Sequence, residues 1–551
     1  MTRMETPYPN QPPPYEGRNL YLTDAALRDA VAREGAAHAE ATLAQWGAML
    51  ARPETYALAD AANRNPPVLR THDRRGERID AVDFHPAWDA LMGLAAVAGE
   101  HCAPWAAPGT GAQAARAAMY FLHAQVENGT QCPLTMTYAS VPVLARHRAD
   151  LPDGDRWLQR VLTADHDPRP LPVSDKRAAL IGMGMTERQG GSDVRANLSH
   201  ADPAGDGAWR IHGHKWFFSA PQCDAHLVLA QADAGLTCFL LPRMLPDGTR
   251  NAVRLNRLKD KLGNRSNASA EVEFDGALAY AVGAPGRGIA TILEMVQHTR
   301  LDCAIGSAGM MRGALAWALH HASHRVAFGR LLIEQPLMLS VLADLALEVE
   351  GTTALAMRLA RAFDAPADAA DRALARVATP AAKYWICKRA PAVAFEAMEV
   401  LGGGGYVEDT PLPRLYREAP VNSIWEGSGN VICLDVLRAV EREPVAVDAL
   451  AAELALARGG NADLDRHAQT LLAALSRDAP APAPHEARRI AQVIATALAA
   501  ATLVRAAPAF VADAYCASRL APASYAGAAF GGALASTIDA RAIVARARGP
   551  G

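Results

Sequence analysis

The chemistry of this chain gathers around one carboxylate. Glu426 lies in Arg417-Glu-Ala-Pro-Val-Asn-Ser-Ile-Trp-Glu-Gly-Ser-Gly-Asn430, between the pair Ile424-Trp425 and the turn Gly427-Ser428-Gly429. A carboxylate beside large apolar side chains loses hydration, so its charged form is disfavoured and its pKa rises. A glutamate of that kind accepts protons usefully near neutral pH. The glycines let backbone approach a ligand closely. Taken alone, a Glu before Gly is more often a helix end or a loop residue, so the assignment depends on its company elsewhere.

Two further segments supply that company. Met183-Gly-Met-Thr-Glu-Arg-Gln-Gly-Gly-Ser-Asp-Val194 mixes small residues with hydroxyls. Such a stretch can set backbone N–H groups against phosphates or a ring edge; a capped turn is the plainer alternative. Lys215-Trp-Phe-Phe-Ser219 ends a strand-like run. An aromatic there can stack on a planar ring and the hydroxyl can bond a ring nitrogen, while core filling is the ordinary role of an aromatic cluster.

Other patterns carry less. Gly402 to Gly405 follows a helix and lacks the strand–GxGxxG–helix context of a nucleotide loop. His320 and His324 are spaced i, i+4 beside His321, but no HExxH glutamate accompanies them. His212-Gly-His214 reads as strand and turn. The eight cysteines stand singly with no CxxC pair, which suggests neither zinc nor a disulfide framework. No metal site is expected, and a reduced, cytoplasmic setting fits.

The elements that position these residues follow from composition and periodicity. At 551 residues the chain exceeds one core, and about three or four domains are expected. Half the residues are hydrophobic and the net charge is −3, so nothing global argues for nucleic acid or membrane. Met1 to Tyr21 is polar and proline-rich without an apolar h-region, which does not read as a secretory signal. The stretch Ala491 to Val504 is apolar but shorter than the roughly 20 residues a bilayer requires. Residues 1–22 read as an extended arm and 23–178 as a helical domain, with Thr23-Asp24 as an N-cap signal. Alternation and hairpin signals mark 179–286 as a β domain. Long unbroken helical patterns over Leu301–Val326 and Leu339–Phe363 mark 287–444 as an antiparallel bundle. A Pro-Ala linker at 479–485 lies within a further helical region, 445–551. The fold expected is mainly α with a central β domain.

Together these segments resemble the acyl-CoA dehydrogenase superfamily over most of residues 80–440. Thr186 to Asp193 resembles its Thr-Glu-Pro-Gly-x-Gly-Ser-Asp segment, with Arg188-Gln189 in place of Pro-Gly. Phe217 and Ser219 stand at the Trp and Thr of its Trp-Ile-Thr segment. Gly263 to Ser269 resembles Gly-x-Arg-Gly-Ser-x-Thr, and Arg325-Val-Ala-Phe328-Gly329 its Arg-x-x-Phe-Gly. Leu401 to Tyr406 resembles Gly-Gly-x-Gly, with Glu399 where many relatives have Gln. Ile424 to Ser428 resembles Tyr-Glu-Gly-Thr. Asn10-Gln-Pro, Asn19-Leu-Tyr-Leu, Asn65-Pro-Pro, Phe84-His-Pro-Ala-Trp88 and the C-terminal extension resemble the AidB-like branch, which is tied to the adaptive response to DNA alkylation.

The resemblance implies an acyl-CoA dehydrogenase-like fold: a helical N-domain, a β-barrel-like middle domain and a helical bundle, here with a C-terminal helical extension. It implies an FAD cofactor and Glu426 as the catalytic base that removes a thioester α-proton. Isovaleryl-CoA dehydrogenases carry their base at another place, which here holds Thr299. Cofactor contacts are implied at Met183, Gly184, Met185, Thr186, Gly191, Ser192, Phe217, Phe218, Ser219, Arg325, Phe328, Ile424, Trp425, Gly427, Ser428 and Asn430. Acyl-CoA contacts are implied at Thr186 and Arg300. A homotetramer and double-stranded DNA binding through residues 445–551 are implied too, with Arg438 and Arg519 on phosphates. Composition adds little to the DNA reading, since 445–551 holds 10 Arg, no Lys and 8 acidic residues, a net +2. Two alternatives stand beside it: a plain dehydrogenase of a short branched acyl-CoA, and a DNA-binding protein with a structural flavin.

Overall fold

The computed structural model describes residues 10–364, 368–521 and 529–549. The arm is pinned from Asn10 onward. Asn10 exchanges two hydrogen bonds with the backbone of Val326, at 2.6 and 2.8 Å, and Tyr15, Leu20 and Tyr21 are buried. Asp24 caps helix α1 (Ala25–Arg33) by accepting from the Leu27 N–H at 3.0 Å. Helices α2 (Glu40–Leu50) and α3 (Pro53–Arg64) follow.

An unforeseen hairpin, β1 (Val68–His72) and β2 (Arg78–Asp83), then interrupts the helices. Asp73 closes its turn by accepting from the N–H groups of Arg75 and Glu77. Its strands are short and mostly half-exposed, so they carry little apolar alternation. Arg78 docks the hairpin on the β domain through the Leu255 carbonyl, at 2.9 Å. Helices α4 (Pro86–Val97), α5 (Ala103–Ala106), α6 (Ala112–His123), α7 (Gln131–His147) and α8 (Gly154–Val161) complete the first third.

The middle third holds β3 (Ile181–Gly184), β4 (His200–Gly205), β5 (Ala208–Ser219), β6 (Ala225–Ala232), β7 (Gly235–Pro242), β8 (Val253–Leu258) and β9 (Ser269–Ala281). Pairing runs β4–β5–β9–β7–β6 and returns from β6 to β4, so the sheet closes on itself. Strand β3 adds parallel to β6 and β8 adds to β9. Closure removes the free edges an open sheet would present. β6 and β7 meet in a hairpin turn at Asp233-Ala234, inside the 179–286 region that hairpin signals mark.

The last third is helical: α9 (Gly288–His324), a small hairpin of β10 (Val326–Ala327) and β11 (Arg330–Leu331), then α10 (Pro336–Arg361), α11 (Ala369–Val400), α12 (Gly403–Tyr406), α13 (Leu412–Glu418), α14 (Gly429–Arg442), α15 (Pro444–Ala455), α16 (Ala462–Ala474), α17 (Ala487–Ala506), α18 (Ala509–Arg519) and α19 (Ala540–Arg548). The described residues after 445 form no separate core. One apolar cluster runs from Tyr15 and Leu27 through Leu345 and Ile386 to Ile494, Val511 and Val544. Residues 484–506 are long and apolar enough to cross a bilayer by length and composition, but 72% of that window is buried inside the protein, as in the core helix of a bundle.

Candidate active site

Glu426 sits on a loop that needs help to keep its shape. Its φ is +56°, a left-handed conformation costly for a residue with a Cβ. Gly427 follows at φ +98°, where an added Cβ would meet the Ile432 side chain at 2.9 Å. Three consecutive carbonyls accept from buried cations. Lys383 donates to the Trp425 and Gly427 oxygens at 2.7 and 2.6 Å, and Arg300 Nε donates to the Glu426 oxygen at 3.2 Å. Arg300 is itself anchored on Asp435 at 2.8 Å. The Trp425 indole donates to Asn422 at 2.9 Å. The loop is therefore over-determined, which is how backbone strain persists at a functional site.

Among the described residues the side chain of Glu426 has one donor. Thr299 Oγ1 lies 2.7 Å from Glu426 Oε2 and 3.1 Å from the Val296 carbonyl. A hydroxyl has one proton to give. With Glu426 ionised, Thr299 donates to it. With Glu426 protonated, Glu426 donates to Thr299 and the hydroxyl turns to Val296. Burial pushes the Glu426 pKa above the ordinary carboxylate value, while Thr299, Arg300 and Lys383 hold it back. The result is a carboxylate whose proton affinity is set by opposing effects.

The wall facing this loop comes from β3 and β5. Lys215 pairs with Val272 but Phe218 pairs with Ala270, so β5 carries one extra residue at Trp216-Phe217. This bulge turns Phe217 outward, to 53% exposure, while Lys215 and Phe218 both point in. Ser219 remains half-buried, with its hydroxyl 3.5 Å from that of Ser269. The Trp216 N–H donates to the Thr186 carbonyl at 2.9 Å and fixes Thr186 beside the bulge. Next to it, Glu187 is fully buried on Lys215 at 2.7 Å. Burial works against the Glu187 charge, yet Lys215 and the Leu198 N–H carry its pKa down to about 2. This pair fastens the 186–199 loop. A Cβ on Gly191 would lie 2.4 Å from the Thr186 hydroxyl, so that glycine keeps the hydroxyl uncovered. The Cys132 thiol sits between the two walls: it feels the Glu426 charge and bonds Ser219 and Asn267.

The expected residues thus separate into groups. Thr186, Gly191, Phe217 and Ser219 gather around the end of β5, and Trp425, Glu426 and Gly427 on the loop before α14; Cys132, which bonds Ser219 and feels the Glu426 charge, links the two groups, and Ile424 and Ser192 are exposed. Met183 and Gly184 lie inside β3, buried, and Met185 packs partly on the same core. Ser428 caps α14 by position, and Asn430 accepts from Arg488 of α17 at 2.8 Å. Three expectations are corrected. The Phe218 ring is buried at 1% exposure, stacked on His226 at 4.0 Å, and offers no face to a ligand. Arg300 is held by Asp435 and the Glu426 carbonyl, so it anchors the loop rather than reaching for substrate. Arg519 is buried between Asp344 and Glu348, at 2.5 and 3.2 Å, and cannot meet a DNA phosphate. Arg438, by contrast, is exposed on α14 with a 3.4 Å contact to Asp435.

Arg325 and Phe328 lie elsewhere. Arg325 ends α9, 26 residues beyond Thr299, or roughly 39 Å along the helix at about 1.5 Å per residue. Phe328 is fully exposed at φ +51° in a tight two-residue turn with Gly329. Sequence reasoning missed Lys383, Cys132, Asp435 and the Thr299 bond. Lys383 alone left a trace, as one cation inside the apolar run Pro380-Ala-Ala-Lys-Tyr-Trp-Ile-Cys387.

Comparison with known proteins follows the same divisions. The family profile of the AidB adaptive response protein N-terminal domain matches residues 10–168. The acyl-CoA dehydrogenase middle domain matches 182–277 and the C-terminal domain matches 286–441. AidB of Escherichia coli (strain K12) is 50% identical over 508 residues, covering 92% of this chain and 93% of that protein. Acyl-CoA dehydrogenase family member 11 of Caenorhabditis elegans is 31% identical over 445 residues, covering 76% and 69%. The solved structure of Caenorhabditis elegans ACDH-11 in complex with C11-CoA superposes with a TM-score of 0.85 at 27% identity, covering 94% of each chain. The Bacillus anthracis acyl-CoA dehydrogenase complexed with FAD shares the fold, with a TM-score of 0.63 at 16% identity.

Proposed function

The chain belongs to the acyl-CoA dehydrogenase family, in its AidB branch, and from that premise we propose that Glu426 is the base of an FAD-dependent acyl-CoA dehydrogenation. The observation that carries this reading is the Glu426 carboxylate itself. It is held on a strained loop, raised in pKa and bonded to one hydroxyl.

The residues fit the cofactor of this family. Phe217 offers a half-exposed aromatic ring with Lys259 Nζ 4.7 Å from its centroid, Ser219 a half-buried hydroxyl beside Cys132 and Ser269, and Gly191 a gap that a Cβ would fill. When bound, FAD supplies the hydride acceptor of the reaction. The chain supplies the rest. Phe217 and Thr186 bound the ring site, and Trp425 and Met185 exclude water from it. Glu426 Oε2 takes the α-proton of the thioester, and the Thr299 hydroxyl then turns to the Val296 carbonyl and accepts from the new acid. Arg300 and Lys383 keep the carboxylate in place throughout. An acyl-CoA substrate accords with the C11-CoA bound to the Caenorhabditis elegans relative. Glu426→Gln keeps shape and removes the base. Flavin should stay bound while its bleaching by isovaleryl-CoA falls at least about a hundredfold, the usual scale for a general base. Bleaching at the wild-type rate would assign the proton to another residue.

The same proposal includes a second copy of the chain. Arg325 and Phe328 are too far from Glu426 to serve one dinucleotide within a single chain, which supports a homo-oligomer, taken as a tetramer, with each flavin held partly by a neighbour. It also includes double-stranded DNA binding and protection from alkylation, as the AidB branch name suggests. Arg438 is exposed and suited to a phosphate. The eight cysteines are all free and buried, which suits a reducing cytoplasm. One observation favours the plain dehydrogenase instead. Of the ten arginines in 445–551, Arg466, Arg477, Arg489, Arg505, Arg519 and Arg546 already face carboxylates. A gel-shift salt series on duplex DNA, beside the bleaching assay on the same preparation, separates the two readings.

A further inference from the structure

A second concavity, of about 460 Å³, lies between the end of α3, the 263–269 loop and α13. None of the residues around it belongs to the Glu426 cluster. Four arginines line it from three segments: Arg64, Arg265, Arg414 and Arg417. Two carboxylates, Asp60 and Glu408, leave an excess of two positive charges. Arg417 is committed, because both its terminal nitrogens grip Glu408. Arg64 and Arg265 are exposed and, among the described residues, bond only carbonyl oxygens, of Glu408 at 2.8 Å and of Lys261 at 3.0 Å.

Arg414 is different. It is 5% exposed, yet its Nε, Nη1 and Nη2 have no hydrogen-bond partner among the described residues. The Asp60 carboxylate approaches only to 3.6 Å. The Thr410 hydroxyl, on the same cavity, is buried without a partner as well. Buried donors are normally satisfied, and a guanidinium left bare is among the least favourable exceptions. The missing partner is an acceptor, and the surplus charge makes it an anion.

We propose that this cavity binds the terminal phosphate of a phosphomonoester. A planar guanidinium matches two phosphate oxygens at once. A monoester carries close to two negative charges at neutral pH and balances the surplus, whereas a carboxylate balances half of it. Arg414 is recessed, so a phosphodiester inside a continuous duplex does not reach it while a terminal phosphate does. The volume lies within the range of small-molecule sites and leaves room for the group that carries the phosphate.

Calorimetric titration of the flavin-loaded, full-length protein tests this, because bound flavin fills its own phosphate contacts. At fixed ionic strength AMP and inorganic phosphate should bind saturably, and adenosine should not. Arg414→Gln and Arg265→Gln should each weaken AMP at least tenfold. Arg265→Gln should leave the flavin content unchanged, since its side chain bonds only its own loop. If Arg414→Gln does not fold, the pair Arg64→Gln and Arg265→Gln decides, because both side chains are exposed. Displacement of AMP by a 5′-phosphorylated duplex, but not by its dephosphorylated twin, would name DNA ends as the source of the phosphate; failure to displace would name a free monoester. Absence of saturable binding by AMP and phosphate, or wild-type affinity in the folded variants, overturns the proposal.

Discussion

Thr299→Val is the most exacting probe of Glu426, because it removes one hydroxyl and almost no volume. The variant deletes the one side-chain donor to the carboxylate among the described residues. A hydrogen bond to a charged group contributes about 1.5–3 kcal/mol. Part of that loss cancels, because the protonated carboxyl also uses the Thr299 oxygen as its acceptor. We therefore take the lower end, about 1.5 kcal/mol, which is roughly a tenfold change in an equilibrium constant. The sign follows from the opposing causes at Glu426. Burial already raises its pKa and Thr299 lowers it, so losing Thr299 raises it further.

Glu426 accepts a proton only when ionised, so bleaching by acyl-CoA should rise with pH through the folded pKa. In Thr299→Val that rise should move to higher pH. On the acid limb the stopped-flow bleaching rate should fall about tenfold, and the high-pH plateau should be kept. Thr299→Ser retains the hydroxyl and should track the wild type. If the Thr299→Val and wild-type profiles superimpose, either Glu426 is not the titrating base or the 2.7 Å bond does not act on it. A uniform drop at every pH would instead mean that the loop itself had moved.

Phe217→Ala should lower flavin occupancy of the purified protein, read from its absorbance ratio, whereas Phe218→Leu should change thermal stability and leave occupancy alone. Glu418 is buried, and its pKa is pushed up to about 7 by burial first and by Glu127 next. The folded protein therefore holds a proton that the unfolded chain releases near its ordinary value of 4.5. Glu418 disfavours folding increasingly as pH rises from about 4.5 to about 7, by up to about 3 kcal/mol. Glu418→Gln still accepts from the Asn264 N–H, so its denaturation midpoint should match the wild type at pH 4 and exceed it at pH 8; the reverse order would sink the assignment. Arg519→Ala should strip a buried partner from Asp344 and Glu348 and cost about 3–5 kcal/mol of stability, seen as a fall in Tm. Arg438→Ala should leave Tm nearly unchanged and reduce the slope of log DNA affinity against log salt by about one, equally for all sequences. An unchanged slope removes Arg438 from any DNA-facing surface.

The sequence signals that worked were local. Glu-Gly-Ser-Gly marks a turn at Glu426, and a 3.6-residue period marks α9 and α10. What escaped was contact between distant segments. Thr299 and Glu426 are 127 residues apart, and no spacing rule joins them. Phe217 and Phe218 are neighbours with opposite fates, decided by one bulge that only the pairing with β9 reveals. Arg519 had a readable warning, seen in retrospect. Asp344 and Glu348 stand at i, i+4 within an apolar run of α10, and two buried carboxylates require a cation. Composition counted Arg519 toward a basic footprint when its charge was already matched inside.

That internal matching changes what the C-terminal extension is. Arg519 and Arg546 reach back to Asp344, Glu348 and Glu350 on α10, and Arg505 shares Glu453 with Arg358. Helix α17 buries Ile494, Leu498 and Leu503 in the same cluster as α10 and α11. Arg488 of that helix bonds Asn430, four residues beyond Glu426. Deleting 445–551 would therefore expose apolar faces of α10, α11 and α14 and strand their carboxylates, so a loss of DNA binding in the truncated chain would report unfolding. The same contacts give the extension a part in the dehydrogenase site. It packs on α14, whose Asp435 holds Arg300, which in turn holds the Glu426 carbonyl. Arg438 shares Asp435 at 3.4 Å. A phosphate drawing Arg438 outward would leave Asp435 to Arg300 and Arg376, so the surface arginine and the Glu426 loop are joined through one carboxylate. A DNA function in this chain has to be sought with single exposed arginines in the intact protein, with the flavin bleaching rate measured alongside.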